Sequence, residues 1–154
     1  MNLRAKVLLM MLLLMLPADV YAFNCSVTST PVGFGGYDVF SSAPLDAVGT
    51  ITLSCNNPPQ RPLPVRIAIS SGQSGAFNPR QMRRTGGADR LNYYLFLDAS
   101  KTAIWGDGTG GSSTFTGTIT RNYNINTSVY GRVPPKQDIR AGSYGDNLVV
   151  TVFW

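Results

Sequence analysis

Breaks in the chain come too close together for helices. Sixteen Gly and ten Pro interrupt a sequence of 154 residues, and the runs between them alternate polar with apolar side chains. Alternation of period two separates the two faces of a strand, whereas a helix needs apolar residues three and four apart. Ile51, Leu53 and Cys55 alternate with Thr50, Thr52 and Ser54, and residues 65–69 alternate around Arg66. Residues 91–97, LNYYLFL, are apolar toward both sides, the mark of a strand inside a sheet. Weaker alternation over 114–123 turns Phe115 and Ile119 inward, and 128–133 is strand-like up to Pro134 and Pro135. Residues 147–154 place Leu148, Val150, Val152 and Trp154 on one face, with Val149 and Phe153 on the other. Stretches 56–64, 70–79 and 105–113 are rich in Pro, Gly or Ser and read as loops. Short strands with a turn about every ten residues predict an all-β antiparallel sandwich in one domain. A final strand that is apolar on both faces is hazardous at an open edge. It is therefore expected to be paired on both sides, by this chain or by another.

The ionisable residues exclude most chemistry. There are eight Asp, no Glu and no His, which removes His-based triads, His metal sites and imidazole acid–base catalysis. No pair of carboxylates stands out, and past residue 22 only Lys101 and Lys136 remain as amine bases. The glycine-rich stretch 106–111 lacks the Lys and the following helix of a phosphate loop, and reads as a turn. No catalytic residue, metal site or cofactor is expected. Tyr93, Tyr94, Tyr123, Tyr130 and Trp105 are candidates for a sugar-binding platform, although at strand spacing such rings more often pack a core. The net charge of +5 has a single cluster behind it, Arg80, Arg83 and Arg84. With no recognisable nucleic-acid motif beside it, no nucleic-acid partner is expected.

Residues 1–22 have the anatomy of an export signal. Arg4 and Lys6 precede an unbroken apolar run from Val7 to Leu16, Pro17 breaks it, and Val20 and Ala22 sit where a signal peptidase reads. The run is too short for a bilayer span, which takes about 20 residues. Cleavage is expected to leave a domain of residues 23–154 with no membrane span and eleven bases against seven acids, a net +4. Two Cys, Cys25 and Cys55, remain. In an oxidising compartment an even pair reads as a disulfide. Closing a loop of about 30 residues is worth roughly 3–4 kcal/mol in the chain-entropy model.

Several of these segments, in this order, resemble one family. They are VGFGGYD at 32–38, PLDAVGTITLSC at 44–55, RQM at 80–82, LNYYLFL at 91–97, WGDGT at 105–109, YGR at 130–132, GSYGD at 142–146 and LVVTVFW at 148–154. The chain resembles the spore coat protein U domain of archaic chaperone–usher pilus subunits. That resemblance implies an incomplete immunoglobulin-like β-sandwich that lacks its last strand. It implies a groove beside the C-terminal strand, bordered here by Leu148, Val150, Val152 and Trp154, filled first by a periplasmic chaperone and then by a neighbouring subunit at the outer-membrane usher. The implied role is a structural subunit of a surface pilus or fimbria-like fibre, exported through the periplasm and serving adhesion and biofilm formation. A polymerising subunit needs an apolar extension ahead of its first Cys, and only Phe23 and Asn24 precede Cys25 in the processed chain. The expectation is a subunit that accepts a strand without donating one, at a fibre tip or as an initiator. The competing expectation is a self-contained secreted coat or carbohydrate-binding module.

Overall fold

A computed structural model describes residues 24–56, 61–120 and 124–154; the expected export signal lies outside them. Nine strands follow one another: β1 (Asn24–Thr30), β2 (Leu45–Asn56), β3 (Leu63–Ile69), β4 (Arg80–Arg84), β5 (Arg90–Phe96), β6 (Phe115–Ile119), β7 (Ile125–Val133), β8 (Tyr144–Gly145) and β9 (Val150–Phe153). The one helical element among the described residues is a single 3-10 turn, Gly72–Ser74. The fold is an incomplete immunoglobulin-like antiparallel sandwich, with a six-stranded sheet ordered β1-β2-β7-β5-β4-β8 and a three-stranded sheet ordered β6-β3-β9.

The inner faces carry the alternating residues that the sequence pattern selects. Ile51 and Leu53 of β2, Val129 of β7 and Leu95 of β5 pack toward Ile67 and Ile69 of β3 in one buried cluster. Residues 91–97 behave as expected of an inner strand. β5 lies between β7 and β4, with Leu91, Tyr93 and Leu95 buried and Phe96 also covered. Trp105, from a loop, is wholly buried; its Nε1 donates to the Ile67 carbonyl at 3.0 Å and its ring lies 6.0 Å from Phe115. A buried indole N–H needs such a partner, and a strand carbonyl supplies it.

Three elements depart from the sequence reading. β1 is a full strand that alternation does not reveal, because six of its seven residues are polar or exposed. β7 begins at Ile125, three residues ahead of the expected 128. The final strand is short, Val150–Phe153 instead of 147–154, because residues 146–149, between β8 and β9, are held in part by side chains. The Asp146 carboxylate accepts from the Gln73 amide at 2.9 Å and the Tyr93 hydroxyl at 2.7 Å, and Ser70 Oγ accepts from the Val149 amide at 2.9 Å.

Where β7 ends, a side chain completes the ladder of β5. Gln137 Oε1 accepts from the Asn92 amide at 2.8 Å, and its Nε2 donates to the Asn92 carbonyl at 3.0 Å. The Gln137 amide in turn donates to Tyr37 Oη, whose hydroxyl donates to the Pro134 carbonyl, both at 2.8 Å. Backbone groups left without a strand partner are thereby satisfied.

Candidate functional site

The small sheet runs out of strands before it covers the large one. β9 pairs with β3 from Ile69↔Val150 to Arg66↔Phe153, and among the described residues no strand pairs with its other edge. Strand backbone groups point alternately to both sides, so among the described residues this edge offers a row of donors and acceptors with no strand partner. In the large sheet, Val27 of β1 pairs with Leu53, which is 1% exposed, and so faces the same interior; Val27 itself is 42% exposed. An inner-face valine open to solvent marks the place the second sheet does not reach.

A cleft of about 330 Å³ fills part of that gap. Ser29, Thr30 and Val32 form one wall and Leu148 and Val150 the other, over a floor of Ile51, Ile69, Leu95 and Val129. A larger hollow of about 740 Å³ adjoins it between residues 32–40 and 139–144, and the two share Val32, Phe34, Met82 and Tyr144. The lining is mostly apolar, with Ser29, Thr30 and Asp146 among its polar members, which suits alternate side chains of an extended peptide.

Two glycines set the first wall. Residues 31–34 cross the inner face of the large sheet over Gly49 and Gly131. A β-carbon on Gly49 would fall 2.7 Å from the Thr30 carbonyl oxygen and 2.9 Å from Val32 Cγ2. One on Gly131 would fall 2.5 Å from Val32 Cγ1 and 2.7 Å from Phe34 Cζ. Only a bare backbone lets the crossing segment sit this deep. Phe34 then meets Tyr93 edge-on, with ring centroids 6.1 Å apart. The Cys25–Cys55 disulfide, with Cα atoms 4.0 Å apart, ties the start of β1 to β2. It thus fixes the strand that leads into this wall.

Arg80 and Asp146 set the second wall. Arg80 is fully buried and pairs with no carboxylate among the described residues; its Nη2 donates to the Trp105 carbonyl at 2.7 Å and the Ser70 carbonyl at 3.0 Å, and its Nε to Ser70 at 3.1 Å. The guanidinium also lies over the Phe77 ring at 5.1 Å, while Nη1 has no hydrogen-bond partner among the described residues. Burial pushes the Arg80 pKa below its ordinary value. The nearby Tyr93 hydroxyl is pushed well above the ordinary phenol value, chiefly by burial and then by its bond to Asp146. Tyr93 therefore remains a hydrogen-bond donor to Asp146, which anchors the chain just before Leu148.

Of the residues expected at the groove, Leu148 and Val150 line the cleft. Val152 packs on the core farther along the strand. Trp154 lies beyond the end of β9, is 59% exposed and does not line the cleft, because the alternation stops where the strand stops. The opposite wall, Ser29, Thr30, Val32 and Phe34, escaped the sequence reading; the glycines flanking Phe34 were its available signal. Among the candidate sugar-platform rings, Tyr93 and Trp105 are buried in the core, Tyr94 and Tyr130 are partly exposed, and Tyr123 lies outside the described residues. The 106–111 stretch is a turn, in which Asp107 accepts from the Thr109 amide at 2.8 Å. Among the described residues no helix is long and apolar enough to cross a membrane.

Comparison with known proteins adds a family to this geometry. The chain is 30% identical over 139 residues to Protein U of Myxococcus xanthus, covering 83% of this chain and 76% of that protein. Its fold matches, at a TM-score of 0.59 and 21% identity, a chain in the crystal structure of the CsuC-CsuE chaperone-tip adhesion subunit pre-assembly complex from archaic chaperone-usher Csu pili of Acinetobacter baumannii. That match covers 86% of this chain but only 40% of the other, so the present chain spans well under half of it. The family model of the Spore Coat Protein U domain matches residues 12–151, and the chain belongs to that family.

Proposed function

We propose that this chain is a structural subunit of a chaperone–usher-assembled surface fibre, and that its cleft receives a strand from another polypeptide. The observation that carries the reading is the edge of β9, which no other strand pairs with among the described residues, beside a mostly apolar cleft. An added strand would satisfy the β9 backbone groups and lay alternate side chains on Ile51, Ile69, Leu95 and Val129. Leu148 and Val150 would flank it, with Val152 and Trp154 at the far end of its path. The family assignment and the fold of the pilus-complex relative support this reading. On it, residues 1–22 are removed on export, residues 23–154 form the mature domain, and the periplasmic chaperone supplies the first strand. The usher and neighbouring subunits follow, and the finished fibre serves adhesion and biofilm formation.

The test is co-expression. The full chain is exported with and without the chaperone encoded beside it, and yield, co-purification and thermal melting are compared. A stoichiometric complex, with aggregation of the chain on its own, is the expected result. A lone monomer that melts cooperatively and ignores the chaperone would overturn the proposal in favour of a self-contained coat protein.

A further inference from the structure

The outer face of the large sheet carries an arrangement that strand capture does not use. Arg83 of β4 and Arg90 of β5 are direct cross-strand partners, and both are exposed. Cross-strand partners lie on the same face, and like charges placed there repel. Nothing relieves the repulsion: among the described residues neither guanidinium has a carboxylate partner, and the nearby Asp89 is taken by Arg84 at 2.8 Å. Arg83 uses only its Nε internally, donating to the Gly87 carbonyl at 3.1 Å, which leaves its two outer nitrogens free. Its neighbour on the other side is Gly145 of β8, which has no side chain to screen it. The arginine pair is therefore an open, uncompensated double cation.

The rows that follow on this face are of a different kind. Two residues along each strand, Gln81 and Asn92 form an amide pair, with Gln81 Nε2 donating to Asn92 Oδ1 at 2.9 Å. Two residues farther along β5 comes Tyr94, half-exposed and stacked on Phe96 at 6.0 Å and 27°. Its strand partner Arg132 is neutralised by a two-pronged pair with Asp46 at 2.7 and 2.8 Å. Rows repeat at about 6.6 Å along a strand, so the guanidiniums and the tyrosine lie roughly 13 Å apart on one face.

We propose that this face binds an acidic polysaccharide. Sugar carboxylates would pair with the guanidiniums of Arg83 and Arg90, whose forked geometry suits them. Ring hydroxyls would bond to the amides of Gln81 and Asn92, and a sugar face would lie on Tyr94. Charge complementarity supplies the first contact, and the amide and aromatic rows select a sugar over other polyanions. The site is on the opposite side of the sheet from the cleft, so it is independent of whatever strand fills that cleft.

The experiment titrates the full exported chain with polygalacturonate, with neutral dextran and with duplex DNA. Polygalacturonate should bind, more weakly as salt rises, and dextran should not. R83Q/R90Q should weaken polygalacturonate binding about tenfold, while R83K/R90K should retain part of it. Y94A should weaken binding to polygalacturonate but not to DNA. R90E should abolish polygalacturonate binding while holding or raising the melting temperature, because it turns a repulsive pair into an attractive one. Polygalacturonate binding undiminished in R83Q/R90Q or R90E overturns the proposal. So does equal binding of dextran, or DNA binding as tight as polygalacturonate with Y94A affecting neither.

Discussion

Arg80 shows how one side chain can serve in place of a strand. Its guanidinium gathers the carbonyls of Ser70 and Trp105, two residues that lie outside the nine strands. Arg80→Ala would leave those carbonyls buried without donors, at a cost of roughly 2–4 kcal/mol. A thermal melt should show a fall of about 10 °C. Arg80→Lys should recover only part of it, since an ammonium cannot span both acceptors with one planar fork. Tyr93 makes a second prediction at this scale. Its folded pKa is raised, so the stability it contributes is complete below the unfolded phenol value of about 10 and is lost as pH climbs beyond it. Denaturation midpoints should therefore decline above about pH 10 in the wild type and decline less steeply in Tyr93→Phe. Neither role is legible in the sequence. Arg80 sits in an Arg-rich stretch with Arg83 and Arg84 that reads as surface charge, and only strand alternation separates the buried Arg80 from the exposed Arg83.

Among the elements, β9 and the segment after β1 decide what the cleft can hold. Leu148→Asp and Val150→Asp place carboxylates on an apolar wall that the incoming strand must cover. Each should weaken strand capture about a hundredfold or more, read by chaperone co-purification. If the double variant captures the chaperone as well as wild type, the cleft is not the docking site. On the other wall, Gly131→Val drives a side chain into Val32 and Phe34. The expected loss is about 1–3 kcal/mol, with a parallel loss of capture, because the wall is lifted off the sheet. The element boundaries explain what sequence reading recovers here. β2 and β3 show alternation because they are buried on a defined face, and the apolar run of β5 marks an inner strand, so their patterns are visible in the sequence. β1 faces a gap, so it carries no apolar pattern to detect, although its pairing with β2 runs over seven residues from Asn24↔Asn56 to Thr30↔Thr50.

Taken whole, the described residues form a sandwich whose smaller sheet stops at β9. The disulfide holds β1 on the larger sheet in spite of that gap. A Cys25→Ser, Cys55→Ser double variant should lose about 3–4 kcal/mol, and calorimetry with and without chaperone should show the deficit narrowing when a strand fills the cleft. What the sequence determined by itself is the class of fold. Alternation, breaker spacing and a pair of Cys each act locally or through composition, and together they permit little besides a short-stranded, disulfide-linked sandwich. The motif order adds the family. What only the tertiary structure decided is which residues face the opening. Val150 and Trp154 share one alternation, yet only Val150 lines the cleft. Val32 and Phe34 are far from β9 in sequence and line the same cleft as Val150. A missing strand leaves no residues in the sequence to read; it appears only when two sheets are packed and one is found too narrow for the other.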